Sequence, residues 1–250
     1  MAAFYDSYDY LSYWQGRDYE DNCERIALEQ LFKKIDWRDS LIDVGGGFGR
    51  LARVYAPLFQ KCLVLDPAEK NLRIGKERTK NFPNVSFLKD SLPKLSLEDS
   101  FFSVALMIRV SHHLPDLSQP LKEIYRLLKK DGYLILEVAN KIHFLARIRA
   151  ILKLDFSFTR NLEPIERRSQ ENIQQKTIAF LNHHPKKIIS ELKDSGFTVK
   201  EILSVSNFRC SILKKMIPQK MLLSGERVLQ NPFGRFFFGP SIFILAKKDD

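Results

Sequence analysis

The chain has 250 residues, 44% of them hydrophobic and 28% charged, with a formal net charge of +10. That length sustains one large α/β domain with a well-buried core, and that composition is ordinary for a soluble protein. No apolar run reaches the ~20 residues that cross a bilayer, and no opening stretch pairs a basic start with an apolar core, so a cytoplasmic protein without a signal peptide is expected. The charge is unevenly placed. Residues 1–140 hold 20 Lys/Arg and 20 Asp/Glu, and residues 141–250 hold 20 and 10, so the whole excess lies in the later part. Such asymmetry points to an anionic substrate, an acidic partner, a membrane surface or nucleic acid, or else to a basic solvated face. Cys23, Cys62 and Cys210 are far apart and lack metal or redox spacing, so they read as free thiols.

Residues 1–22 are rich in rings, with Phe4, Tyr5, Tyr8, Tyr10, Tyr13, Trp14 and Tyr19. That is too aromatic for a disordered tail. Apolar positions Ile26, Leu28, Leu31, Phe32 and Ile35 then recur near helical spacing, which predicts a helix leading into the first strand.

Leu41-Ile42-Asp43-Val44-Gly45-Gly46-Gly47-Phe48-Gly49-Arg50 reads as a strand buried on both faces, a tight glycine turn, and a helix over roughly Arg50 to Leu58. Such a turn brings backbone N–H groups close to a ligand. The glycines alone also fit a dinucleotide site. The acid at Asp43 separates the two readings, because a carboxylate beside the turn repels a pyrophosphate and attracts a cationic group. Lys61 to Asp66 predicts a second strand ending in an acid, suited to ribose hydroxyls, with a helix between Pro67 and Asn81. Val85 to Asp90 predicts a third strand, again with a terminal acid. Ser100 to Leu114 predicts a fourth strand and a turn containing Arg109, His112 and His113; Leu121 to Leu136 predicts a helix, a glycine turn and a fifth strand.

The pattern D-x-G-x-G-x-G at Asp43, Gly45, Gly47 and Gly49, followed in order by these acid-ended strands, resembles class I S-adenosylmethionine-dependent methyltransferases over about 100 residues. The resemblance implies a Rossmann-like α/β fold. Its seven-stranded, mostly parallel sheet has an antiparallel last strand beside the fifth, helices on both faces, and here a helical insertion between strands five and six. It implies S-adenosylmethionine as cofactor and S-adenosylhomocysteine as product. Cofactor contacts are then expected from Asp43, Gly45, Gly46, Gly47 and Gly49 at the turn. Asp66 and Pro67 fall at the ribose, Asp90 and Ser91 at the adenine, with Arg109 and Arg17 also on the cofactor side. Tyr13 to Glu20 resembles an N-terminal lid, with Arg17 toward the methionine carboxylate and Tyr19 toward the methyl group; the alternative is that these rings pack on a sheet edge. One domain spans 1–250, divided as 1–35 lid and helix, 36–140 cofactor half, 141–184 substrate-side insertion and 185–250 C-terminal half.

Within the insertion, Lys141 to Leu154 reads as a basic amphipathic helix whose apolar face packs on its own protein as a substrate lid, the alternative being an anionic membrane surface. Arg160 to Lys176 reads as exposed. His183-His184-Pro185 opens a helix that Gly196 stops, Phe197 to Val205 reads as strand six and Pro240 to Ala246 as strand seven, with Ser206 to Phe238 a basic connection. No third ligand accompanies the His183-His184 pair, so no metal is expected. Methyl transfer needs positioning more than side-chain chemistry. The candidate catalytic residues are His113, a turn histidine able to take a proton at neutral pH, then Tyr19 and His184. The expected function is methyl transfer by in-line displacement to a small molecule such as a metabolite, quinone or lipid precursor, an anionic one if the basic later part supplies the substrate side. The alternatives are an RNA methyltransferase using the basic later part, a non-catalytic cofactor binder, and a nicotinamide oxidoreductase that Asp43 disfavours. Oligomeric state is open.

Overall fold

The computed structural model describes residues 10–174 and 177–249. Phe4, Tyr5 and Tyr8 of the aromatic opening lie outside the described residues. Seven strands form the central sheet: β1 (Ser40–Val44), β2 (Lys61–Asp66), β3 (Val85–Lys89), β4 (Phe102–Met107), β5 (Leu128–Ala139), β6 (Phe197–Val205) and β7 (Ser241–Lys248). Their spatial order is β3-β2-β1-β4-β5-β7-β6, and β7 alone runs antiparallel to its neighbours β5 and β6. This is the Rossmann-like sheet expected from the acid-ended strands.

Every residue of β1 and β4 is buried. Strands covered on both faces leave no solvated side for polar residues, which is why they read as continuous apolar runs. One core layer gathers Leu28, Leu31, Leu41, Tyr55 and Val104 beneath α1 (Asp18–Phe32); the other gathers Ile42, Ala105, Leu121, Leu134 and Ile244 beneath α4 (Ser118–Leu127) and α6 (Pro185–Asp194). Between these lie α2 (Ala52–Tyr55) after β1, α3 (Glu69–Arg78) after β2 and α5 (Phe144–Leu152) after β5.

Two expectations are corrected, and one unassigned stretch gains structure. The helix after the glycine turn is not continuous from Arg50: residues 48–51 stay in turn geometry, α2 spans one turn, and Ala56–Leu58 tightens into a 3₁₀ segment where Pro57 lacks an N–H to continue the ladder. The basic connection after β6 holds the helices Ser211–Met216 and α7 (Gln219–Gly234). Gly225, Gly234 and Pro232 disguised α7 in the sequence. Its glycines are there because the helix lies close on its neighbours: a Cβ on Gly234 would stand 1.9 Å from the Ile202 carbonyl oxygen, and one on Gly225 would stand 3.0 Å from the Phe208 ring. The insertion helix α5, finally, does not bury an apolar face on its own protein: Ala150 is its one buried residue.

Candidate functional site

The parallel register sets the carboxyl ends of β1 and β2 side by side, with Asp43 opposite Val64 and Val44 opposite Leu65. The chain leaves β1 through Gly45 and Gly46, whose N–H groups both donate to the Leu65 carbonyl at 2.7 and 3.1 Å. Gly45 has φ +72° and Val110 packs against it so closely that a Cβ would lie 2.3 Å from the Val110 Cγ2. A Cβ on Gly46 would lie 2.6 Å from Asp43 Oδ2. Only glycine therefore permits this turn to fold over the Asp43 carboxylate.

Asp43 is buried, and its Oδ2 accepts the Tyr55 hydroxyl at 3.1 Å. Burial pushes its carboxyl up to about 6, with the Tyr55 hydrogen bond and the Arg50 charge working against that rise and the Asp66 charge adding to it. A buried acid held at the edge of ionisation is a receptor for a cation, whose arrival favours the charged form. Asp66 is oriented from three sides: Gly47 N–H donates to Oδ2 at 3.0 Å, and Ala68 N–H and the Asn71 amide donate to Oδ1 at 2.9 and 3.3 Å. The two acids thus form a coupled pair at the glycine turn. Pro67 follows, half-buried.

Asp90 lies on the same sheet edge, one residue past Lys89, the register partner of Asp66. Its carboxylate turns to its own loop, accepting N–H groups of Ser91 and Ser96 at 2.8 Å each. Ser91 is exposed. Arg109, two residues past β4, has a left-handed conformation, φ 62°, which an arginine adopts only when surroundings hold it there. Here its N–H donates to Glu137 Oε2 at 3.1 Å and its guanidinium grips Glu24 Oε1 through Nε at 2.7 Å and Nη2 at 2.5 Å.

That same Glu24, buried on α1, receives Arg50 from the glycine turn at 2.5 Å. Burial alone would raise its carboxyl, but Arg109 and then Arg50 hold it below the usual carboxylate range. The Trp14 ring lies against both guanidinium groups, with the Arg50 Cζ 3.7 Å and the Arg109 Cζ 5.0 Å from its centroid. The N-terminal segment therefore sits against the two turns that border the acids. Arg17 rests on the Tyr13 ring, 4.1 Å from its centroid.

The turn after β4 brings three histidines together. The rings of His112 and His113 are 4.0 Å apart, and His183 Nε2 bonds the Ser111 carbonyl at 3.0 Å. His113 Nδ1 faces the Ala179 carbonyl oxygen at 2.7 Å. A carbonyl only accepts, so Nδ1 carries the hydrogen and Nε2 is the basic nitrogen of the neutral ring. Burial lowers the His113 pKa, keeping the ring neutral at physiological pH.

Two catalytic candidates are corrected by their surroundings. Tyr19 is buried in the core rather than turned to the turn: its hydroxyl donates to Glu226 at 2.6 Å and accepts from the Phe208 N–H. His184 is a helix cap, its Nδ1 accepting the Lys186 N–H at 3.2 Å and its Nε2 donating to the Thr159 carbonyl at 3.1 Å. Both of its ring nitrogens are spent on structure. Sequence reasoning missed Tyr55, Asn71, Glu24 and Glu137. Tyr55 and Asn71 could have been found by their place, the first on the helix just past the glycine turn and the second five residues beyond Asp66; Glu24 and Glu137 carry no local signal.

A parallel sheet of this order, with a glycine turn over a buried acid and a second acid beside it, has the fold of solved S-adenosylmethionine-dependent methyltransferases. Residues 42–136 match the family model described as "Methyltransferase domain", which ends within β5. Over that stretch, 95 of the 250 residues, the chain is similar to that family. It is 26% identical over 124 residues to an uncharacterized methyltransferase of Bacillus subtilis, YcgJ, covering 48% of this chain and 49% of the relative, about half its length. It is 26% identical over 216 residues to a Campylobacter jejuni protein named ubiquinone/menaquinone biosynthesis C-methyltransferase, covering 80% and 84%. A Thermotoga maritima structure described as an S-adenosylmethionine-dependent methyltransferase, possible histamine N-methyltransferase, superposes with a TM-score of 0.65 at 20% identity, covering 100% of both chains. At that identity the likeness shows the fold. The residues suit such a cofactor: the glycine turn packs directly over the buried Asp43 carboxylate, whose Oδ2 accepts the Tyr55 hydroxyl, and Asp66 lies beside it on the Gly47 N–H.

Proposed function

We propose that this chain moves a methyl group from S-adenosylmethionine to a small-molecule acceptor. The observation that carries the reading is the pairing of Asp43 and Asp66 at the glycine turn. When bound, the cofactor supplies a methyl group on a positively charged sulfur, open to in-line displacement. In this reading Asp43 attracts the cationic amino-acid end, Asp66 accepts the ribose hydroxyls, and Gly45, Gly46, Gly47 and Gly49 let backbone N–H groups approach. Pro67 closes the ribose side, Asp90 and Ser91 border the adenine, and Arg17 and Arg109 border the methionine carboxylate. Most of the rate comes from holding the nucleophile in line and excluding water.

His113 is the group that would take a proton from an oxygen or nitrogen nucleophile at its Nε2, because the Ala179 carbonyl fixes the tautomer. The relative named for quinone biosynthesis puts quinol-like rings at the head of an acceptor panel. The test is calorimetry with S-adenosylmethionine followed by transfer of labelled methyl to quinols, phenols, amines and RNA. Binding with transfer to a small molecule, and a His113→Gln variant slowed by roughly 10²-fold or more at unchanged cofactor affinity, is expected. Label entering RNA alone, or binding without transfer to any acceptor pool, would overturn the proposal.

A further inference from the structure

Away from the glycine turn, α5 carries its polarity inside out. Phe144, Leu145, Ile148, Ile151 and Leu152 fall on one helical face and are 43, 45, 36, 60 and 78% exposed. Leu154 and Phe156 continue the exposed apolar run at 75 and 69%, and Phe236, whose carbonyl accepts from Arg147, adds 65%. A helix at the surface of a globular protein turns such a stripe toward the core; a stripe turned outward marks a surface that meets something apolar.

The second observation is a cavity of about 270 Å³ on the flank of the same helix. Lys141, His143, Arg149, Lys153 and Arg167 line it, and Asp155 is the one carboxylate among its described lining residues. That carboxylate is already engaged, its Oδ1 accepting the N–H groups of Ser157 and Phe158 at 3.2 and 3.1 Å. The surrounding potential registers on His143, pushed down to about 4 by burial and then by the charges of Arg149, Arg167, Arg147 and Arg209. The cavity is a receptor for an anionic group.

The two observations together select the occupant. A nucleic acid satisfies the charges and leaves the aliphatic stripe in water. A second copy of this chain covers the stripe but sets like charges against each other. A bilayer with anionic headgroups meets both demands, apolar side chains entering the acyl boundary while arginine and lysine lie at headgroup level. We infer that α5 docks this protein on an anionic phospholipid surface, the Phe144–Leu152 stripe entering the bilayer interface and the cavity receiving a headgroup phosphate on Arg149, Lys153 and Arg167, while Lys141, buried beneath it, is held by the Asn161 and Glu163 carbonyls at 2.6 and 2.7 Å. This is peripheral attachment, since no helix among the described residues is long and apolar enough to cross a membrane. Because α5 follows the carboxyl end of β5, at the sheet edge that carries the acids, docking turns that rim toward the lipid.

Sedimentation of the full chain with phosphatidylglycerol/phosphatidylcholine vesicles, against phosphatidylcholine alone, tests the inference. Binding to the anionic vesicles that weakens with added salt, and little binding to neutral ones, is expected. The pair Ile151→Glu/Leu152→Glu and the pair Arg149→Glu/Lys153→Glu should each lower partitioning by at least about tenfold. Both pairs sit at exposed positions apart from the proposed cofactor site, so S-adenosylmethionine affinity should be unchanged, which confirms folding and separates this result from the fate of the methyl-transfer reading. Failure to sediment with anionic vesicles at low salt overturns the inference. So does loss of binding in the charge-reversal pair but not the apolar pair, which would indicate a general polyanion site, or a solution dimer that the apolar pair dissociates without any lipid binding.

Discussion

The half of the molecule that holds the two acids and the half that follows β5 handle charge in opposite ways. Up to residue 140 acids and bases are equal in number, and the important ones are buried and matched atom by atom: Asp66 to three donors, Glu24 to two guanidinium groups. After it, basic residues outnumber acids 20 to 10 and large apolar side chains stand in solvent. A rigid, chemically fixed ligand calls for the first arrangement, and a broad, soft surface calls for the second. The family match stopping within β5 follows the same division.

The comparison breaks most sharply if the buried charges of the first half prove dispensable. Glu24→Ala leaves Arg50 and Arg109 facing each other without their shared acceptor, and a loss of about 3–5 kcal/mol in denaturant unfolding is expected. The pH dependence follows in sign: with its folded pKa depressed, Glu24 contributes stability above its unfolded value and loses it as pH falls through the folded one. Asp66→Ala removes the acceptor of Gly47, Ala68 and Asn71 as well as the proposed ribose contact, so cofactor binding by calorimetry should weaken by about 1–3 kcal/mol. An affinity within twofold of the parent would contradict the site.

Asp43 gives a smaller, pH-tuned effect. Its carboxyl is raised to about 6, so in the unliganded protein its contribution to stability is full below the unfolded value and is lost as pH rises through 6. A cation reverses the preference: cofactor affinity should fall as pH drops below about 6, by up to about tenfold per unit, and Asp43→Asn should flatten that slope in titrations at several pH values. The mildest change is His184→Ala, which removes a helix cap and should lower stability by ~1 kcal/mol while leaving methyl transfer intact. A large loss of turnover at normal stability would return His184 to the chemistry.

The sheet was legible because both faces of β1 and β4 are covered, so burial wrote short, largely apolar runs, and because acids stand at the carboxyl ends of β1 and β2. The turn was legible because Gly45 and Gly46 have no substitute at their distances from Val110 and Asp43. What could not be read locally was whatever depends on distant pairing. Glu24 meets Arg109 across 85 residues and Tyr19 meets Glu226 across 207, so neither a lid nor a core role is written in the residues themselves. Pattern also cannot tell an inward stripe from an outward one. The spacing of α5 identifies a helix with an apolar side; only the fold decides whether that side is covered.

The bidentate grip of Glu24 joins three pieces of chain that are remote in sequence: the first long helix, the glycine turn and the turn after β4. A single carboxylate serving two arginines cannot release one without rebalancing its hold on the other. Amide exchange along residues 18–32 should therefore slow when the pocket fills, making the first helix a reporter of occupancy read by deuterium uptake.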